Sequence, residues 1–350
     1  MKVGSSHIIN GNALNLPLSD SSVDLIVTSP PYFALRSYSD GGGHYKGQIG
    51  DEPTPNEFVE ALLKATEEMM RVLRSSGSIF VNLGDTYIGT GDKGEFVDPK
   101  NPKGRNGQAV SKNRKVAGFK RKSLVGVPWR YALRCIDDLG LILRAEIIWM
   151  KPNAMPSSVT DRVKRSHEQW FHFTKSPSYF SNTDAIREPY LSAPMKAQES
   201  KYIEYGQSTN QALATQSDLQ HNPLGKLPCS VWTIATEPLK VDPALGIDHF
   251  AAFPSEWPRR IILGWSPPDG VVLDPFSGTG TTAGVAKALG RTGIGVDMSA
   301  DYCRLAEWRT NGDGFEKLER KVLERTFGST ILQSKSMTEA DHPQLFGDAA

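Results

Sequence analysis

Short apolar runs alternate along this chain with longer segments in which apolar residues recur every three to four positions. Residues 23–28 (VDLIVT) form a β-branched apolar run ending in Ser-Pro-Pro, which reads as a buried strand entering a loop. Phe58, Leu62, Ala65, Met69 and Leu73 carry helical spacing with charges between them. They predict a helix over 56–74, with Asn56 as its N-cap and Gly77 closing the turn after it. Residues 78–83 read as a strand, 129–138 as a helix, and 142–150 as a strand stopped at Lys151-Pro152. The rhythm returns near the C-terminus: a strand over 271–274, a helix over 281–289, a strand over 292–297 and a helix over 301–325. Strands alternating with helices predict an α/β fold with a parallel sheet.

Two stretches break this pattern. Residues 84–123 are rich in Gly, Lys, Asn and Arg, and residues 188–245 are polar and punctuated by proline. Both read as insertions in one domain spanning 1–327, and the aperiodic residues 328–350 as a loose tail. The composition, 39% hydrophobic and 23% charged, fits a globular chain and excludes wholesale disorder. Three cysteines with no C-x-x-C pair argue for a reducing compartment. The N-terminus lacks the apolar region of a signal peptide and no apolar run is long enough to span a bilayer, so a cytoplasmic protein without membrane contact is expected.

Residues 271–297 carry the first candidate chemistry. A strand leads into Gly278-Thr-Gly280, then a helix, then a second strand ending in Asp297. Glycines let backbone approach a ligand, the helix N-terminus favours a negative group, and an acid closing the next strand can accept both ribose hydroxyls of an adenosine. Gly278-x-Gly280-x-x-Ala283 also satisfies the dinucleotide fingerprint. Too little ordered chain follows Asp297 for a second mononucleotide half, so S-adenosylmethionine, with one adenosine, fits better than NAD.

The second candidate is Ser29-Pro30-Pro31-Tyr32. Two prolines stiffen the loop and remove two backbone donors, freeing carbonyls to face a ligand. The Ser29 hydroxyl and the Pro30 carbonyl suit the hydrogens of an exocyclic amine, and Tyr32 offers a ring for a planar base. An amine held this way aims its nitrogen lone pair at a methyl group, and positioning alone can drive a direct displacement.

The pairing of TSPPY with DPFSGTGTT resembles the amino-methylating DNA methyltransferases, which act on cytosine N4 or adenine N6. The catalytic loop comes first and the cofactor loop last, as in their β group, and the likeness covers roughly residues 8–310 apart from the insertions. The resemblance implies a Rossmann-like, S-adenosyl-L-methionine-dependent methyltransferase acting on double-stranded DNA, built on a mostly parallel, twisted sheet of the seven-stranded type with helices on both faces. It gives Ser29, Pro30, Pro31 and Tyr32 the target base. It gives Asp274, Phe276, Gly278, Gly280 and Thr281 the methionine end of the cofactor, and Asp297 the ribose. It has Phe253, Pro254 and Ser255 close the cofactor pocket, and Trp149 and Lys151 border the base. Asn12 stands where the family commonly has Asp, beside the adenine, and Asp297 stands where Glu is common. Ser at position 29 leans toward cytosine N4, with adenine N6 as the alternative and a non-catalytic DNA-binding protein as a reading of another class. A cognate restriction endonuclease is a possible further partner. The recognition sequence and the oligomeric state are not written in the sequence.

Other signals carry less. Pro228-Cys229 evokes the nucleophile of cytosine C5 methylation, but it continues as PCSVW and precedes the glycine loop, so Cys229 reads as structural. His167 and His172 in HEQWFH are five residues apart rather than four, so no metal is expected, and these residues instead order the loop after Lys151. Trp170, Phe171 and Phe173 read as core. Charge is informative only in its distribution. The whole chain sums to +1, yet residues 92–122 hold ten Lys/Arg and three acids, and the remainder carries 30 basic and 36 acidic residues. Lys112, Arg114, Lys115, Lys120, Arg121 and Lys122 are therefore candidate phosphate contacts, and 188–245 the candidate target-recognition segment.

Overall fold

The computed structural model describes residues 3–33, 39–40, 43–44, 48–88, 118–154, 159–190, 222–239, 241, 245, 247 and 252–328. An eight-stranded sheet forms its centre. The strands are β1 (Ser5–Asn10), β2 (Val23–Thr28), β3 (Leu73–Leu83), β4 (Ile142–Met150), β5 (His167–Thr174), β6 (Val231–Thr233), β7 (Val271–Asp274) and β8 (Thr292–Asp297). Their spatial order is β1-β8-β7-β2-β3-β5-β4-β6. Seven point one way, and β5 runs against both its neighbours. This is the Rossmann-like architecture expected, with one strand more than the seven-stranded type that the resemblance implied.

The period of two decides which face each residue serves. Ile79, Val81 and Leu83 of β3, with Phe171 and Phe173 of β5, pack under α1 (Pro55–Val72) and α2 (Val127–Asp137). Leu25, Val27, Phe80 and Trp170 face the other way, under α3 (Glu256–Trp265), α4 (Thr281–Ala288) and α6 (Phe315–Phe327). Trp257 of α3 stacks between Trp170 and Trp232, each at 4.8 Å, and meets the edge of Trp149 at 5.9 Å. The remaining helix, α5 (Ala300–Asn311), lies against β1. No helix among the described residues is long and apolar enough to cross a membrane.

Several local expectations are corrected. Thr54, not Asn56, caps α1: its hydroxyl accepts from the Glu57 N–H while Glu57 reaches back, and Pro55 opens the helix. Gly77 lies inside β3, which follows α1 without a turn, and a Cβ there would come within 2.7 Å of the Asp24 carbonyl. His167 and Glu168, expected to order the loop after Lys151, open a central strand, His167–Thr174, that the periodicity did not mark. The helix predicted over 301–325 is two, broken at Gly312-Asp313-Gly314. β1 has no counterpart among the expected elements. Residues 231–233 of the second insertion belong to the sheet, and Trp232 and Ile234 are buried in its core.

Both insertions leave from paired necks. Tyr87 bridges Leu124, and Ile88 exchanges backbone hydrogen bonds with Ser123 and Lys122, so 89–117 departs from and returns to one point. Glu188 and Lys226 pair in the same way, each N–H donating to the other's carbonyl at 2.9 Å, around 191–221. The tail beyond Gly328 and the basic residues Lys112, Arg114 and Lys115 lie outside the described residues.

Candidate active site at the carboxyl ends of the strands

In an open α/β sheet, ligands bind beyond the carboxyl ends of the strands, where order reverses. Here those ends carry Asn12 after β1, Ser29 after β2, Pro275–Thr279 after β7 and Asp297 closing β8. All border one cleft that is open to solvent. Phe253, Phe276 and Ile49 supply apolar wall.

The glycine loop is built for close approach. Gly278 has φ +49°, and a Cβ there would find only the Phe276 carbonyl, at 4.0 Å. Gly280, at φ +71°, is packed against Ala306, so its role is to let α4 start tight against α5. Asp297 fixes the loop: its Oδ2 accepts the Gly278 N–H at 2.8 Å and its Oδ1 the Ser299 N–H at 2.9 Å. A carboxylate has about four acceptor directions, so anchoring and ribose binding can share it. Behind the loop lies Arg309 of α5, 5% exposed, donating to the hydroxyls of Thr279 and Thr281 at 2.7 Å each. Burial pulls this guanidinium down to about 10, so it stays charged at neutral pH. The N-terminal amides of α4 and this cation make the loop a receptor for a carboxylate. Glycine cradle, terminal acid, apolar walls and electropositive helix start together fit the adenosyl amino acid expected from the sequence.

Asp274 does something different from the expectation. It is fully buried and absent from the cleft lining, accepting from Thr28 (2.6 Å) and the Phe276 N–H (3.1 Å) on one oxygen and from Thr282 (2.9 Å) on the other. It thereby ties the catalytic strand to the cofactor loop. Burial pushes its carboxyl up to about 6, against those hydrogen bonds, and the charge of Asp297 adds to the rise. The folded chain therefore binds this proton more tightly than the unfolded chain, and stability falls as pH rises between about 4 and about 6. Asp274→Asn removes that dependence. Calorimetry should show the melting temperature of the wild type gaining on the variant as pH falls through this window; parallel curves would refute the role.

The remaining candidates divide. Pro31, Thr281 and Asn12 line the cleft, and Asn12 Oδ1 also accepts the Leu14 N–H at 2.9 Å. Pro30, Pro254 and Gly280 are not part of this cleft's lining. Ser255 is turned away, donating to Glu237 and accepting from Arg325, each at 3.2 Å. Trp149 is buried, donates to the Ile234 carbonyl at 2.7 Å, and carries the Lys151 ammonium 4.1 Å over its ring. His172 is buried against Phe80, ring centroids 4.2 Å apart, and burial pushes its imidazole down to about 3. Cys229 is exposed, its thiol against the Val231 carbonyl just ahead of β6. Lys120, Arg121 and Lys122 are exposed, with Lys122 paired to Asp161 at 2.6 Å. Gln48, Met298 and Tyr302 also line the cleft; of these only Met298, next to Asp297, had a neighbouring motif to point to it.

Ser29 and Tyr32 converge on Asn82 at the end of β3. Ser29 Oγ donates to Asn82 Oδ1 at 3.3 Å, and Tyr32 Oη lies 2.7 Å from the same oxygen. Gly84 underlies the Tyr32 ring; a Cβ there would reach 2.5 Å from Cε2.

Comparison with known proteins agrees with this geometry. A DNA methylase family model matches residues 23–308. The type II methyltransferase M.SmaI of Serratia marcescens is 35% identical over 292 residues, 83% of this chain and 85% of its own. M.Cfr9I of Citrobacter freundii is 34% identical over 316 residues, 89% and 90% of the two chains. The solved PvuII DNA methyltransferase (cytosine-N4-specific) shares the fold with a TM-score of 0.59 at 21% identity, covering 94% of this chain and 95% of its own. A DNA modification methylase from Thermus thermophilus, solved with S-adenosyl-L-methionine, shares it at 0.51 and 22%, over 91% and 95%. By the extent of the family match and the identity to these relatives, this chain belongs to the N6/N4 DNA methylase family.

Proposed function

We propose that this chain is a site-specific DNA methyltransferase that transfers the methyl group of S-adenosyl-L-methionine to the N4 amine of a cytosine flipped out of duplex DNA. The observation that carries the reading is the state of the Ser29 hydroxyl. It borders the cofactor cleft, and its proton is directed to Asn82, so it presents lone pairs outward. Ser29 Oγ and the Pro30 carbonyl accept the two amine hydrogens, and Tyr32 stacks on the ring. When bound, the cofactor supplies an electrophilic methyl on a charged sulfur and departs as a neutral thioether. Ser29 and Pro30 hold the amine nitrogen in line, so that the nitrogen–carbon bond forms as the carbon–sulfur bond breaks. One of the protons they hold then passes to water. Nothing here needs a covalent enzyme intermediate.

Lys112, Arg114, Lys115, Lys120, Arg121 and Lys122 are assigned to DNA phosphates, and 188–245 to reading the target. The type II relatives support a cognate restriction endonuclease as the companion activity. The second reading is adenine N6, since the matched family spans both amines. Hydrolysis of DNA treated with enzyme and cofactor, followed by nucleoside mass spectrometry, decides between them. N4-methylcytosine is expected. N6-methyladenine overturns the cytosine assignment, and no methylated nucleoside overturns the enzymatic one in favour of a non-catalytic DNA binder.

A further inference from the structure

Three strands bring one charged pair to the catalytic loop. Lys151 follows β4 directly, and Glu168 is the second residue of β5, paired in register with Trp149. The two form an ion pair with side chains only 18% and 17% exposed. Glu168 Oε1 takes Lys151, and Oε2 accepts from Tyr32 Oη at 2.8 Å. Lys151 is held in turn over the Trp149 ring. On its other side the Tyr32 hydroxyl meets Asn82, whose amide donates to the Gln169 carbonyl at 3.1 Å. That bond fixes the orientation of the amide, so its oxygen faces both Tyr32 and Ser29.

We infer that Glu168, held by Lys151, is a positioning residue for methyl transfer. It fixes the Tyr32 ring by accepting its hydroxyl proton, beside the Asn82 oxygen that accepts from Ser29. This rests on the functional reading above and deepens it. With Gly84 beneath one face and Glu168 at the tip, the ring is held at two places. Net stability is a poor reason for the pair, because desolvating two charges offsets most of what their attraction gains. The second carboxylate oxygen, directed at a tyrosine of the catalytic loop, is what an apolar replacement could not supply.

The test is a double-mutant cycle in kcat, with DNA and cofactor saturating. Tyr32→Phe and Glu168→Ala should each lower kcat about tenfold, the scale of one hydrogen bond to a charged group. Because both remove the same contact, the double variant should also lose about tenfold. KM for DNA and the cofactor Kd should stay within about twofold, and Glu168→Gln, which keeps an acceptor for Tyr32, should recover part of the loss. A double variant about a hundredfold down, or an unchanged kcat in Glu168→Ala, overturns the inference. If Glu168→Ala shows no cooperative melting transition, Glu168→Leu, which fills the space without an acceptor for Tyr32, takes its place in the cycle under the same criterion. A wild type that transfers no methyl overturns the functional reading, and this inference with it, whereas an active wild type with multiplicative losses overturns the inference alone.

Discussion

Tyr32→Ala is expected to lower turnover about a thousandfold while leaving cofactor affinity within about twofold. Stacking on an aromatic ring contributes about 1–3 kcal/mol per base. A hydrogen bond to a charged partner contributes about 1.5–3 kcal/mol, and Tyr32 provides both, its hydroxyl lying between Glu168 and Asn82. Its ring does not border the cofactor cleft, so binding of S-adenosyl-L-methionine measured by calorimetry should be nearly unchanged. Single-turnover transfer to duplex DNA reads the loss. Wild-type turnover in the variant would remove Tyr32 from the reaction; equal losses in turnover and cofactor affinity would make it a structural residue of the cleft.

Asp297→Ala should have the converse signature. Two acceptor oxygens for the ribose disappear, and the Gly278 and Ser299 amides lose their partners. Cofactor affinity is expected to fall about a hundredfold or more, the scale of two charge-assisted hydrogen bonds. Asp297→Asn keeps one acceptor and should lie between the two. Calorimetric titration measures both, with NAD titrated into the wild type as the control. Binding of NAD but not of S-adenosyl-L-methionine would reverse the choice of cofactor, and undiminished affinity in Asp297→Ala would remove the ribose role.

The parts of the site legible in the sequence are those in which backbone chemistry dictates residue type. Gly278 needs a positive φ, Asp297 needs a carboxylate at a strand end, and Pro30-Pro31 need a loop without donors. The fold class was legible because β2, β7 and β8 are short apolar runs and α1 has a clear apolar stripe. What stayed hidden was held by tertiary pairing. β5 begins His-Glu-Gln, and its polar residues Gln169, His172 and Thr174 are buried, so no alternation marks it as a strand. Asp274 reads as a ligand residue because it adjoins the glycine loop; its hydrogen bonds to Thr28 and Thr282 across two strands have no local signature. Glu168 and Asn82 lie far apart in sequence and meet Tyr32 only because β3 and β5 are neighbours.

The reversed direction of β5 settles where variety can be added. A strand running with its neighbours offers its last residue to the reacting end; one running against them offers its first. The connection over residues 151–166 therefore both leaves and re-enters the sheet at the rim of the cleft, while Thr174 ends at the opposite side, where Lys175 holds the carbonyls of Met70 and Leu73. A change of length or sequence in that connection falls on the side of the cleft and leaves the far side undisturbed. The molecule is thus divided into a fixed base and an exchangeable rim: Lys164 is exposed on the rim, whereas Arg165 is tied into the base through Asp85 and Gln169.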